Sequence, residues 1–307
     1  MRAQEGSDAQ AKNFCYHLQV FSKFPIYKVD DNITCGLFQN SPQPPKQLFA
    51  RGAFPDFKDK IVLTVVGSRA LSSNSKKILD LLFSQIAGAR NLIIVSGLAL
   101  GADALAHSLA LKYNIATIAI PGSGLDERVL YPRSNTALAL RILENKGALL
   151  SEFAPEQKAT SWTFPARNRL MAAIAHKVLV LEAKKRSGTM ITARLAIDYN
   201  KDLLVVDHGF FDDYASGNKY LIKEGAIPIL NKGDLAKELG IEKSAKKEDF
   251  NLDDAESLIL NLLDSPKSKD ELLEMSELSA TDFAIALSKL ELKGAISEQL
   301  GKIFRNF

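Results

Sequence analysis

The sequence predicts an α/β protein built on a mostly parallel, doubly wound sheet. Short apolar, β-branched runs alternate with helical patterns through the middle of the chain. Those runs are continuous rather than alternating, so each strand is buried on both faces and helices must cover the sheet from either side. Glycines and small polar residues close most of the runs, as tight strand-to-helix turns require.

In order, strands are expected at Ile61 to Val66, Leu92 to Ser96, Ala116 to Ile120, Ala148 to Ser151, Val178 to Glu182, Leu203 to Val206 and Ile227 to Leu230. Ser72 or Ser73 caps the first helix between them, Asp103 to Tyr113 form a second, and Ser187 to Tyr199 carry the apolar spacing of a later one. Residues 1–40 show no clear period and make a short N-terminal segment, with the sheet domain at 41–240. A chain of 307 residues outgrows a single core, which stops near roughly 250 to 300 residues, so a second domain is expected. Residues 241–251 separate two differently charged regions, and Glu242 to Asp249 hold many lysines and glutamates but few apolar anchors, which makes this the linker. Beyond it come helical patterns at Ser257 to Leu263, Lys269 to Ser276 and Thr281 to Leu292, then a turn at Gly294 and a hairpin within Ala295 to Phe307. That order predicts a small C-terminal winged helix-turn-helix over 252–307.

The net charge of +3 is unevenly spread. From Asn251 to Phe307 there are 11 acidic and 6 basic residues, a net of −5, which leaves +8 on everything before. A surface for a polyanion therefore belongs to the large domain. The acidic winged helix is expected to contact protein or support a dimer rather than read duplex DNA. Arg2 has no apolar run behind it and no stretch is apolar enough to span a bilayer, so a cytoplasmic protein without membrane contact is expected. Cys15 and Cys35 are too far apart for a CxxC motif; they read as ordinary thiols, and no metal site is expected.

In an open α/β sheet, ligands bind outside the carboxyl ends of the strands. There this sequence places Gly67, Ser68 and Arg69, then Ser96, Gly97 and Gly101, then Pro121 to Gly124 with Gly122 among the candidate phosphate contacts. Further on come Ser151 and Glu152, and Glu182 leading to Ser187, Gly188 and Thr189. Small residues let backbone N–H groups approach an anion, and a following helix adds its positive end; in any one loop, glycine also serves simply to make the turn. Arg69, Arg167 and Arg169 are expected to converge on this edge and chelate phosphate oxygens. Phe164 is the leading aromatic for stacking an unpaired base, with Tyr131, Phe153 and Trp162 behind it.

Several chemistries are excluded. The first turn reads VGSRALS, without G-x-G-x-x-G, and the second strand ends in Ser96 and Gly97 rather than an acidic ribose ligand, so no nicotinamide cofactor is expected. No G-x-x-x-x-G-K-[ST] occurs. His17, His107, His176 and His208 lie in unrelated contexts. Asp103 and His107 share a helical face, either as an acid/base or metal pair or as helix anchors. Glu152 and Glu182 are the carboxylates placed for acid/base work, or for orienting the neighbouring arginines and amides.

The ordered set VGSR (Val66 to Arg69), SGLALGADALAH (Ser96 to His107), GSGLD with YPRSN, SEFAP, FPARNRLMAAIAH, VLEAKKRSGTMITARLAI and GNKYLIKEGA resembles the DNA-processing protein A family (DprA/Smf), over about Ser41 to Ala226. The resemblance implies an extended Rossmann-like domain that binds single-stranded DNA and helps load the RecA recombinase during natural transformation. It also implies homodimers, no cofactor and no enzymatic turnover. Carried over, Gly67, Ser68, Arg69, Phe164, Arg167, Asn168, Arg169, Ser187, Gly188 and Thr189 would form the strand-binding pocket. The chain departs from the family in its short N-terminus, a longer loop between Asp126 and Tyr131, and Val206 to Gly209 where a Pro-Gly pair is usual. The alternative is an enzyme on nucleoside monophosphates, similar to the phosphoribohydrolases with PGGxGTxxE. Pro121, Gly122, Ser123, Gly124, Leu125 and Asp126 come nearest to that motif but lack its threonine and glutamate.

Overall fold

The computed structural model describes residues 20–39, 41–209, 213–241, 252–263, 266–293, 295–299 and 301–305. The chain divides into two compact units, Met1–Glu242 and Lys243–Phe307. Apart from Ile241, the expected linker lies outside the described residues, as does Cys15.

The first unit is built on nine strands: β1 (Ile26–Lys28), β2 (Phe49–Gly52), β3 (Ile61–Val66), β4 (Leu92–Ser96), β5 (Ala116–Ala119), β6 (Ala148–Ser151), β7 (Lys177–Val180), β8 (Asp202–Val206) and β9 (Ile227–Ile229). They lie in the order β1-β2-β6-β5-β4-β3-β7-β8-β9. From β6 to β9 every pairing is parallel, while β2 joins β6, and β1 joins β2, antiparallel.

Alternate residues of each strand feed opposite layers. On one face Val62, Val95 and Val178 pack with Leu170 and Met171 of α5 (Thr163–Ile174) and Ala193 of α6 (Gly188–Asp198). On the other, Leu63, Val65 and Ile94 pack with Leu79 and Phe83 of α2 (Ser73–Ser84) and Ala106 of α3 (Ala102–Lys112). Each of the larger side chains, fully buried, contributes about 1.5–3 kcal/mol. The remaining helices of this unit are α1 (Asp31–Phe38), α4 (Thr136–Glu144), α7 (Ser216–Lys223) and α8 (Asp234–Glu238). Ser72 caps α2, its Oγ accepting from Ser75 N at 3.1 Å. Among the described residues, no helix is long and apolar enough to cross a membrane.

The structure departs from the sequence reading at the front of the unit. Residues 26–28 are a strand of the sheet and Val29 and Phe38 join its core, although the sheet domain was expected to start at 41. Their fastening is Arg51, on β2: its buried guanidinium donates to the carbonyl oxygens of Phe21, Phe24 and Leu125 and to Glu127, each at 2.8 Å.

The direction of winding reverses at β3, which has β4 on one side and β7 on the other. A crevice opens at such a switch point, outside the carboxyl ends of the strands.

The second unit has the order α9 (Asp254–Leu262), β10 (Lys267–Ser268), α10 (Lys269–Ser276), α11 (Ala280–Leu292), β11 (Ile296–Gln299) and β12 (Lys302–Arg305), with β12 central in its small sheet. Capping boxes Asp253/Glu256 and Ser268/Glu271 start the first two helices. Ile259, Leu272, Phe283, Leu290 and Ile303 form its own core. This is the winged helix that the sequence predicts.

Candidate nucleic-acid interface

The crevice at the switch point is an open cleft of about 470 Å³. Gly67, Ser68 and Arg69 bring the end of β3 to it, Ala99 the loop after β4, Lys184, Arg186 and Ser187 the segment between β7 and α6, and Gly188 and Thr189 the first turn of α6. Phe164, Arg167 and Asn168 enter from the first turns of α5. Arg69, Arg167, Lys184 and Arg186 face one carboxylate, Asp103, among the lining residues. Four cations against one anion make the cleft strongly electropositive and suit it to an anion.

The glycine turns act first as packing devices. A Cβ on Gly67 would sit 2.7 Å from the Cβ of Ala102, and Ser68 N donates to Glu182 O at 2.7 Å. That amide is therefore already used inside the protein. At α6 the situation differs: Ser187 makes no side-chain cap bond and Gly188 has open space around it. The first-turn amides of this helix are thus placed at the cleft together with its positive end.

Arg167 is the deepest cation. Its Nη1 donates to the carbonyl oxygens of Gly97 and Ile120, both at 2.5 Å, and its Nε to Asn168 Oδ1 at 3.1 Å. Burial pulls its pKa down and the Asp103 charge opposes that pull. Burial likewise pushes the Asp103 carboxyl up, against Arg167 and the amides of Ala99 and Gly97. The same loop is braced from outside by Asn135, whose Nδ2 donates to Leu98 O at 2.8 Å, where Leu98 holds a left-handed φ of 57°.

Of the residues singled out from sequence, Gly67, Ser68, Arg69, Phe164, Arg167, Asn168, Ser187, Gly188 and Thr189 line the cleft. Gly122 and Arg169 do not. Gly122 lies beneath Phe164, where a Cβ would come within 2.6 Å of the ring. Arg169 sits two residues beyond Arg167, on another side of the helix, and grips Glu152 and Gln43 O. Of the three arginines expected at this edge, Arg69 and Arg167 line the cleft, while Arg169 is held outside it by Glu152, just after β6.

Residues 26–240 match the family model described as DNA recombination-mediator protein A, and residues 243–302 match that of the DprA winged helix domain. The chain belongs to the DprA/Smf family. It is 36% identical over 219 residues to DNA processing protein DprA of Streptococcus pneumoniae, a match covering 71% of this chain and 75% of that one. With Protein Smf of Escherichia coli it shares 32% over 254 residues, 79% of this chain and 67% of the other. The X-ray structure of the Streptococcus pneumoniae DprA superposes with a TM-score of 0.62 at 34% identity, covering 72% of this chain and 76% of that one. A Helicobacter pylori DNA processing protein A, from a structure titled for its single-stranded DNA binding mode, gives 0.63 at 29%, covering 70% and 96%.

In this DprA/Smf chain the carboxylates considered for acid/base work are engaged elsewhere. Burial pushes Glu182 up, but Ser75 Oγ at 2.5 Å and Ser72 N at 3.0 Å outweigh it and hold the group below its usual range. Glu152 is raised by burial against the pull of Arg169. Asp103 and His107 do not pair: Asp103 anchors the loop before α3, while His107 Nδ1 meets Thr117 Oγ1 at 2.8 Å and burial lowers its pKa to about 3. Lys184 and Arg186 are lining cations that the sequence reading did not single out, although KKR stands directly before Ser187.

Proposed function

We propose that this chain binds single-stranded DNA in the cleft and acts, without catalytic turnover, as a mediator that helps load RecA during natural transformation. The observation that carries the reading is the cleft's chemistry: Arg69, Lys184 and Arg186 are exposed cations beside Phe164 and the amino end of α6. Cations attract any phosphate backbone, whereas an aromatic side chain between them favours a strand whose bases are not hidden in a duplex. The Helicobacter pylori relative named for single-stranded DNA binding supports the same reading. Self-association is supported by β9, the last strand of the sheet, and by Leu230 beside it, 62% exposed. The engaged state of Glu152 and Glu182 supports a non-enzymatic role over nucleotide hydrolysis.

The test is fluorescence anisotropy of the full-length protein with a labelled thymidine oligomer, the matching duplex and a nucleoside monophosphate, at two salt concentrations. Tighter binding of the single strand, weakening as salt rises, is expected. Equal affinity for single strand and duplex would refute the reading, and release of free base from the monophosphate, abolished in Glu152→Gln, would favour the enzyme.

A further inference from the structure

Beside the cleft lies a second, much smaller hollow, and Arg69, Ala99 and Phe164 wall both. Arg69 thus stands on the border between the two. Leu100, Tyr131 and Pro132 line the hollow but not the cleft. Apart from the Arg69 head group, nothing that lines it carries a charge. The enclosed space is only about 30 Å³, room for about one water molecule, so a ligand rests on its mouth rather than sinking into it. Two of the side chains that line it, Leu100 and Tyr131, are left half in solvent, each 46% exposed.

Phe164, the aromatic that the sequence favours, lines the cleft but is already in contact with three neighbours. Gly122 lies under its ring, the Arg69 guanidinium stands 5.4 Å from its centroid, and Tyr131 meets it at 5.8 Å with the ring planes at 61°. A base stacking on the Arg69 side of Phe164 must first displace a cation–π contact. Among the described residues no cation covers Tyr131 in this way, and the hollow is continuous with the basic cleft through Arg69.

We propose that Tyr131 and Leu100 form a base-stacking subsite: one unpaired nucleobase lies against them while Arg69 holds a neighbouring phosphate at the border of the cleft. This rests on the reading of the cleft as a single-stranded DNA site. The occupant is a flat, uncharged heterocycle tethered to a polyanion, which is what an apolar lip beside a row of cations fits. Because every base has a π-face, the subsite tolerates sequence. It cannot take a base that stays paired and stacked in a duplex.

The test compares two labelled strands of equal length on the full-length protein, an oligo-dT and the same backbone built from stable abasic spacers. Tyr131→Ala is expected to weaken oligo-dT binding about 5- to 140-fold, the range for removing one base stack, and to leave abasic-strand binding within about two-fold. Tyr131→Phe, which keeps the ring, retains oligo-dT binding, and Leu100→Ser weakens it in the same selective way. A 2-aminopurine in the oligo-dT strand is expected to be quenched by wild type and by Tyr131→Phe but not by Tyr131→Ala. If Tyr131→Ala weakened both strands equally or neither, or if quenching persisted in Tyr131→Ala and vanished in Phe164→Ala, the subsite would be wrong while the cleft reading stood. If wild type bound no single strand at all, the cleft reading itself would fall and the subsite with it.

Discussion

A side-chain carbon on Gly97 would collide with the guanidinium of Arg167, which is held by the carbonyl oxygens of Gly97 and Ile120. The turn after β4 is therefore glycine because a buried cation occupies the space a Cβ would take. Gly97→Ala is expected to lower stability by about 1–3 kcal/mol, the usual cost of overpacking. Gly188→Ala, with open space around that glycine, should stay within about 0.5 kcal/mol of wild type. Urea denaturation midpoints of the two variants check this, and equal midpoints would mean that Arg167 relaxes out of the way.

The arginines should separate by assay. Arg167→Ala removes the hydrogen bonds to the carbonyl oxygens of Gly97 and Ile120 and the positive charge that offsets the burial of Asp103, and is expected to lower stability by on the order of 1–3 kcal/mol for each buried group left unpaired. Arg69→Ala and Arg186→Ala, both at exposed positions, should leave the unfolding midpoint in place. Each should flatten the log–log salt dependence of oligo-dT binding by about 0.7 for every phosphate that the wild-type side chain neutralises. Arg169→Ala breaks the ion pair with Glu152 and should destabilise the protein while leaving that slope unchanged. An unaltered slope in Arg69→Ala would place the backbone elsewhere.

What the sequence shows of this protein is what periodicity can show. The parallel strands are legible because both faces are buried: in β3 every residue from Val62 to Val66 is buried. β1 and β2 are not legible, since Ile26–Lys28 is short with no buried residue and Phe49–Gly52 buries an arginine at its centre. At the site, the strand-end rule locates the cleft, but it does not say which way a helical side chain turns. Arg167 and Arg169 look equivalent in FPARNR, yet two residues along a helix is more than half a turn. That arithmetic alone separates them. Lys184 and Arg186 carry only the faint signal of a basic run, and it is the following helix that gives them a common address.

Acid should act on the fold through His107. It is fully buried with its pKa lowered from 6.5 to about 3, through burial first and the Arg167 charge as a further cause. The folded state therefore binds a proton less readily than the unfolded chain. Its contribution to stability is complete above pH 6.5 and is lost as the pH falls toward 3. One pKa unit corresponds to about 1.4 kcal/mol, so between about pH 7 and pH 5 the loss is on the order of 2 kcal/mol. The difference in unfolding free energy between wild type and His107→Gln, measured across that range, isolates this residue from the carboxylates. A difference that does not change with pH would show that the imidazole reaches solvent.

The winged helix should leave duplex DNA alone, and the reason lies in its helix-turn-helix. From Lys269 to Leu292 there are six carboxylates and two lysines, and both lysines are engaged, Lys269 with Glu298 and Lys289 with Asp253. The solvent side of α11, where a DNA reader carries its base contacts, instead presents Asp282, Ile285 and Glu291. Pushing a net of −4 into a groove lined by phosphates is opposed at every approach. A chain truncated after residue 242 is accordingly expected to bind oligo-dT within about two-fold of the full protein and to bind duplex no more weakly. Glu274→Lys with Asp282→Lys in the full chain should raise duplex affinity and its salt dependence, both read by anisotropy. If truncation alone abolished duplex binding, the second unit would be a DNA reader despite its charge.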